Sequence, residues 1–204
     1  MNETGPSDAV TADQAEKMAL ECVRNGNLDE ALGWWLEAIR LDPTRSLFTY
    51  RAGKMCAVLG RHEEAVKLLA QSIEQNRDHA ATRFSYASAL ACVGEFARAI
   101  EELNIVLAAH PLNDSAASLK FQCLVLEGSY GIAANYFFER ATKMTSSRDK
   151  LCNAFSKAAL ANENYLDGLS ASQMKQLRSI LSGPDDAERR RRLGKAVLRC
   201  ASRV

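Results

Sequence analysis

Four glycines, Gly26, Gly60, Gly94 and Gly128, stand 34 residues apart, and this interval constrains the chain more than any other feature. With 11 glycines among 204 residues, four at one phase is roughly a one-in-10⁵ coincidence before the choice of phase is counted. A second column keeps the same step: Ala31, Ala65, Ala99 and Ala133. A fixed period of this length marks an array, in which each unit is too small to bury its own apolar face and stacks on its neighbours.

The columns make physical sense if each unit is two helices joined at the glycine. A glycine just past a helix end adopts the left-handed backbone that terminates the helix, which other residues reach only with strain. Two residues later come Leu28, His62, Phe96 and Tyr130, which open the second helix. Within it, the alanine column precedes by four residues a large apolar one, Trp35, Leu69, Leu103 and Phe137, so both face one side. Thr11 with Gln14, and Asn27 with Glu30, are spaced as capping boxes for the first two helices. Pro43 and Pro111 fall where the second helices of units one and three should stop.

These residues resemble the tetratricopeptide repeat (TPR) family, a 34-residue helix–turn–helix with small residues at set positions, an aromatic in the second helix and a terminal proline. Unit one carries the pattern as Ala19, Ala31, Trp35, Ala38 and Pro43. Unit two keeps Gly53, Ala65 and Ser72 but has Arg77 in place of proline, and unit three keeps Ala87, Ala99 and Pro111 but has Val106. Unit four departs further, with Phe121, Arg140 and Thr145. The resemblance implies an all-α fold, a right-handed α-solenoid of antiparallel helix pairs, with units at 12–45, 46–79, 80–113 and 114–147.

Outside the repeats, residues 1–11 read as a flexible amino-terminal segment. Leu151, Phe155 and Ala158 continue the apolar stripe into a capping helix, Ser170 and Gln173 open a shorter one, and together they span 148–182. From Gly183 onward seven Lys or Arg face three Asp or Glu, a local charge of +4 in a chain whose net charge is +1. Arg189, Arg190, Arg191, Arg192, Lys195 and Arg199 form a basic patch on this last helix, with Leu193, Val197, Cys200 and Val204 as its apolar stripe. It could dock on the solenoid with its arginines in solvent, or meet an acidic partner, lipid or nucleic acid. Four arginines without aromatic neighbours make nucleic acid the weakest of these.

Nothing points to chemistry. No phosphate-binding glycine loop, HExxH, GxSxG or metal-ligand spacing is present, and the glycines are used by the repeat. No catalytic residue, cofactor or metal is expected. Six well-separated cysteines without a CxxC pair read as reduced, mostly buried thiols. His62, His79 and His110 fall at helix junctions expected to be solvated. The polar start MNETGPSDAV lacks the features of a signal peptide and no run of about 18 apolar residues occurs, so a cytoplasmic protein is the expectation.

Function then belongs to a surface. By the TPR resemblance, first helices line a concave groove, here with Arg24, Leu47, Tyr50, Lys54, Val58, Phe84, Ser88, Gln122 and Leu126; Ser118, Val125 and Cys92 occupy further contact positions. Glu16 and Leu20 replace the lysine and asparagine with which some TPR domains hold the acidic carboxy-terminal tails of heat-shock chaperones, so those tails are not the expected ligand. An apolar groove favours an apolar or amphipathic peptide of another protein, and Arg24 and Lys54 could pair with an acid beside it. The expectation is a non-enzymatic adaptor or chaperone-like module. Its rivals are a structural subunit docking through the convex face or basic tail, and packing of these same apolar residues between units. Gly33 and Trp34 belong to no required column.

Overall fold

The computed structural model describes residues 10–129 and, beyond them, residues 132, 133, 135, 136, 139, 171 and 172. The amino-terminal segment before residue 10, Tyr130, Phe137, the capping helices and the basic carboxy-terminal helix lie outside the described residues. Seven helices occupy the described part: α1 (Ala12–Asn25), α2 (Leu28–Leu41), α3 (Ser46–Val58), α4 (His62–Gln75), α5 (Ala80–Cys92), α6 (Phe96–Ala109) and α7 (Asp114–Leu126). The first helices of successive units begin at residues 12, 46, 80 and 114, the period of the glycine column.

The turn at each glycine is the same structure made four times. Gly26, Gly60, Gly94 and Gly128 have φ of 80°, 75°, 85° and 88°. At the first, Asn27 N donates to Cys22 O at 2.9 Å and Gly26 N to Val23 O at 3.2 Å; at the second, Arg61 N donates to Cys56 O at 2.8 Å and Gly60 N to Ala57 O at 3.2 Å. These paired bonds satisfy the carbonyls that a helix end leaves open, and they require the left-handed residue between them.

Cap chemistry follows expectation at one site and departs at another. Thr11 and Gln14 form the full capping box: Thr11 N donates to Gln14 Oε1 at 2.8 Å and Gln14 N to Thr11 Oγ1 at 3.2 Å. Asn27 makes no cap bond to the backbone of α2; its amide turns to Glu30 Oε2 at 3.4 Å instead. The two-residue turn explains this, because Asn27 N already closes the preceding helix and its ψ of 71° lies away from the extended value an N-cap takes.

Two compact units divide the chain, one ending at Glu95 and one beginning at Phe96. In the first unit, α1 packs on α2, α3 on α4, and α2 and α4 on the first helix that follows each. Ala15, Ala19 and Cys22, at i, i+4 and i+7, form the buried stripe of α1, and Ala31, Leu32, Trp35 and Ala38 that of α2. Trp35 is 1% exposed and meets Phe48 of α3 with ring centroids 6.2 Å apart, joining one helix pair to the next. Burying two such rings supplies several kcal/mol of the order that aromatic truncations cost, about 3–5 each.

Small residues let the helices close on each other. Ala31, Ala65, Ala99 and Ala133 are all fully buried. Ser72 on α4 donates Oγ–H to the Ser46 carbonyl at 3.0 Å, pinning the start of α3. Polar links from one unit to the next share a 32-residue separation: Arg45 to Asp13 at 2.6 Å, Arg61 to Asp29 at 2.8 Å, and Gln75 Nε2 to the Pro43 carbonyl at 2.8 Å. All lie in exposed surroundings, where solvent screens an ion pair and leaves it little weight in stability.

In the second unit α6 packs on α7, with Ala99, Leu103 and Val106 buried on one and Phe121 fully buried on the other. Val106 and Phe121 stand where the repeat pattern has small residues, and their burial shows larger side chains accommodated there. Around α7 the buried residues are Ala116, Ala117, Phe121, Cys123, Leu124 and Val125, which cover several faces of the helix. α1 differs: its buried residues form one stripe, and the rest of its surface mixes charged side chains with the exposed Met18 and Val23.

Candidate functional site

α3 carries the most informative surface. Phe48, Ala52, Met55 and Cys56 are buried on its packed side, yet apolar Leu47, Tyr50 and Val58 run along the open side, with Lys54 among them. Tyr50, Lys54 and Val58 are spaced i, i+4 and i+8, so they share a face. Leu47 is 42% exposed and Val58 66%. A helix that merely bounds solvent has polar residues on its outer face; α3 places apolar side chains there beside Arg51 and Lys54, and is the less amphipathic of the first two first-helices.

Tyr50 is half-buried and framed on two sides. The His79 ring, at the entry to α5, meets it edge-on at 5.2 Å, and Lys54 Nζ lies 5.6 Å from its ring centre. His79 Nδ1 is itself tied to the Thr82 hydroxyl at 2.6 Å, which fixes the imidazole against Tyr50. Sequence reasoning placed His79 only at a solvated junction; it is exposed as expected, but its ring contributes to the site. The signal that could have found it is its distance of 29 residues from Tyr50, which in this repeat returns the chain to the neighbouring first helix.

Of the other expected groove residues, Phe84 and Ser88 on α5 are half-buried and Arg24 on α1 is exposed. Arg24 Nε donates to the Leu20 carbonyl at 3.4 Å. α3 and α5 are in contact, so Tyr50, Lys54, Val58, Phe84 and Ser88 belong to adjoining helices of one unit. Gln122 and Leu126 lie in the other unit, both exposed, Leu126 at 64%. Two contact positions prove structural. Val125 is 7% exposed, and Ser118 is half-buried with its Oγ shielded from solvent and without a partner. The apolar surround of α7 closes over both.

The remaining residues of interest fall elsewhere. His62, expected in solvent, is half-buried, and its Nδ1 is enclosed without a hydrogen-bond partner because it starts α4 inside the turn. Trp34 is half-buried, whereas Gly33 is exposed, with nothing within 4 Å of where a methyl group on its Cα would stand. Cys22, Cys56 and Cys123 are buried and Cys92 is exposed. Burial raises the Cys22 and Cys56 thiols above their ordinary value, with Glu30 and Glu64 adding to the effect respectively, so neither is an activated nucleophile. Among the described residues no group of three or more His, Cys, Asp or Glu side chains could hold a metal ion, and no helix is long and apolar enough to cross a membrane.

These features define a helical-repeat protein whose chemistry-bearing residues are spread over an open helix face. Family models of the tetratricopeptide repeat match residues 17–81 and 59–123, which together run through the helices just described. The chain belongs to the tetratricopeptide repeat family. No curated protein sequence matches it. Among solved structures it is similar to MamA from Desulfovibrio magneticus RS-1, at 16% identity and a TM-score of 0.62, covering 97% of this chain and 98% of that one. It is also similar to YrrB, described as a TPR protein with an unusual peptide-binding site, at 18% identity and a TM-score of 0.66, covering 95% and 92%. The type IV pilus biogenesis factor PilW matches at 16% identity and a TM-score of 0.63, covering 94% and 91%. At these identities the likeness is one of fold.

Proposed function

We propose that this protein is a non-enzymatic interaction module that holds an apolar or amphipathic segment of another protein against the open face of its first helices. The carrying observation is the second apolar stripe of α3, where Leu47, Tyr50 and Val58 reach solvent on the side away from the core. Covering a few hundred Å² of such surface supplies about 25 cal/mol per Å² before the cost of ordering the ligand. Phe84 extends the surface onto α5, and Gln122 and Leu126 offer similar positions in the second unit. A peptide laid along helix faces this way is a helix-in-groove or extended-strand ligand, read by its apolar spacing. That YrrB is described as peptide-binding and shares the fold adds support from kinship of architecture.

The test is affinity capture with mass spectrometry, using the full chain and its Tyr50→Ala/Phe84→Ala variant. Proteins retained by wild type and lost by the variant, at unchanged helicity, are the expected result. Identical capture by both would remove the groove reading. Capture lost instead on deleting residues 183–204 would favour a subunit that docks through its basic end.

A further inference from the structure

Charge in the first compact unit differs from helix to helix: α1 carries Asp13, Glu16 and Glu21 against Lys17 and Arg24, and the two first helices that follow it carry only basic charge. The first helices α3 and α5 contain Arg51, Lys54 and Arg83 and no acidic residue at all. The second helices show the opposite balance: α2 has Asp29, Glu30 and Glu37 against Arg40, and α4 has Glu63, Glu64 and Glu74 against Lys67. The near-neutral total of the chain conceals this separation.

Two arginines at the helix junctions are paired with carboxylates. Arg45 pairs with Asp13 at 2.6 Å and Asp42 at 2.9 Å, and Arg61 with Asp29 at 2.8 Å. Lys54 is different. It is exposed, stands between Tyr50 and Val58, and among the described residues has no carboxylate within ion-pair distance; its Nζ lies 5.6 Å from the Tyr50 ring centre. An unpaired ammonium set among exposed apolar side chains is poorly explained by packing, since a polar neighbour or none would serve solvent as well. It is well explained by a ligand carboxylate, because a counter-ion brought up with an apolar ligand is shielded from water by that same ligand.

We propose that the groove selects acidic–apolar segments: a peptide whose Asp or Glu meets Lys54 while the apolar side chains flanking that acid cover Tyr50 and Val58. The proposal rests on the groove reading above and deepens it by fixing the ligand's charge and the residue that reads it. Because the acid is set between apolar positions, it lies within the ligand and is no terminal carboxylate. The basic charge of α3 and α5 disfavours a basic occupant of that stretch, including the chain's own segment after Gly183 with its seven Lys or Arg.

The experiment pans a phage library of random peptides of about 12 residues against the full-length protein and its Lys54→Glu and Tyr50→Ala variants. Selected peptides are then measured by fluorescence anisotropy. Wild type is expected to enrich Asp or Glu adjacent to Leu, Ile, Phe or Trp, with affinity that weakens about two- to threefold between about 50 and 300 mM NaCl. Lys54→Glu should lower that affinity about fivefold or more and shift the enrichment toward Lys and Arg. Enrichment of apolar peptides without an acid, or equal affinity for wild type and Lys54→Glu, overturns the acidic–apolar ligand and leaves the groove standing. Peptides that bind Tyr50→Ala as well as wild type, or no enrichment, overturn both. Concentration-dependent dimerisation of wild type that Lys54→Glu abolishes would assign the surface to a second copy and overturn the peptide.

Discussion

Gly53 of α3 lies directly against Leu69 of α4: a methyl group on its Cα would stand 2.7 Å from Leu69 Cγ and 3.3 Å from Leu68 Cβ. Leu69 is fully buried, so it cannot relieve the clash by moving into solvent. Gly53→Ala is therefore expected to destabilise the protein by about 1–3 kcal/mol, through overpacking, despite alanine's better helix propensity. Urea unfolding of the two proteins checks it; equal midpoints would mean that α3 and α4 are less closely apposed.

Gly33 makes the opposite case on α2. No atom lies within 4 Å of its methyl position, and the residue is exposed in the middle of a helix. Gly33→Ala is expected to raise stability by about 0.5–1 kcal/mol, measured in the same unfolding experiment. Loss of stability would show that the glycine serves a backbone contact at this site.

Thiol accessibility follows the fold. Cys92 is exposed, whereas Cys22, Cys56 and Cys123 are buried and burial holds the first two protonated. Brief alkylation of the native protein, mapped by mass spectrometry, should label Cys92 ahead of these three, with all four equal after unfolding in guanidinium. Rapid native labelling of Cys22 or Cys56 would contradict the packing of α1 on α2 or α3 on α4.

Two carboxylates give a small acid dependence. Hydrogen bonds from Arg40 hold Glu37 below its ordinary value, and the Thr44 hydroxyl does so for Asp42, helped by Arg45. A pKa depressed by folding contributes stability above the unfolded value and loses it as pH falls through the folded one. Stability should thus decline between about pH 5 and pH 3, and the Glu37→Gln/Asp42→Asn protein should show a flatter decline. Parallel melting-temperature profiles for the two proteins would show that these bonds do not persist in solution.

The fold was legible because a backbone requirement leaves a mark in sequence that packing does not blur. A left-handed turn accepts glycine with little competition, and its recurrence located the helices to the residue: Leu28, His62 and Phe96 each open the helix expected of them. Asn27 was misread because its spacing to Glu30 is that of a capping box, while the two-residue turn had already committed its backbone. Val125 holds a repeat position expected to face the groove, but α7 buries residues on several of its faces and Val125 is one of them. The face of α3 was legible as residues, but its meaning was not: only the structure shows that Phe48 and Met55 occupy the core while Tyr50 and Val58 remain outside it. Charge separation between α3 with α5 and α2 with α4 was present in the sequence and hidden by counting charge over the whole chain.

Val58, at 66% exposed, offers the most direct test of the account, since its side chain has little to lose in the free protein. The decisive measurement is the affinity of wild type and Val58→Ser for a peptide selected on the wild-type protein, taken alongside their melting temperatures. The groove account predicts affinity reduced about three- to tenfold, with stability within about 0.5 kcal/mol of wild type. Equal affinities at equal stability would contradict it, and would place the ligand on some other face of the array.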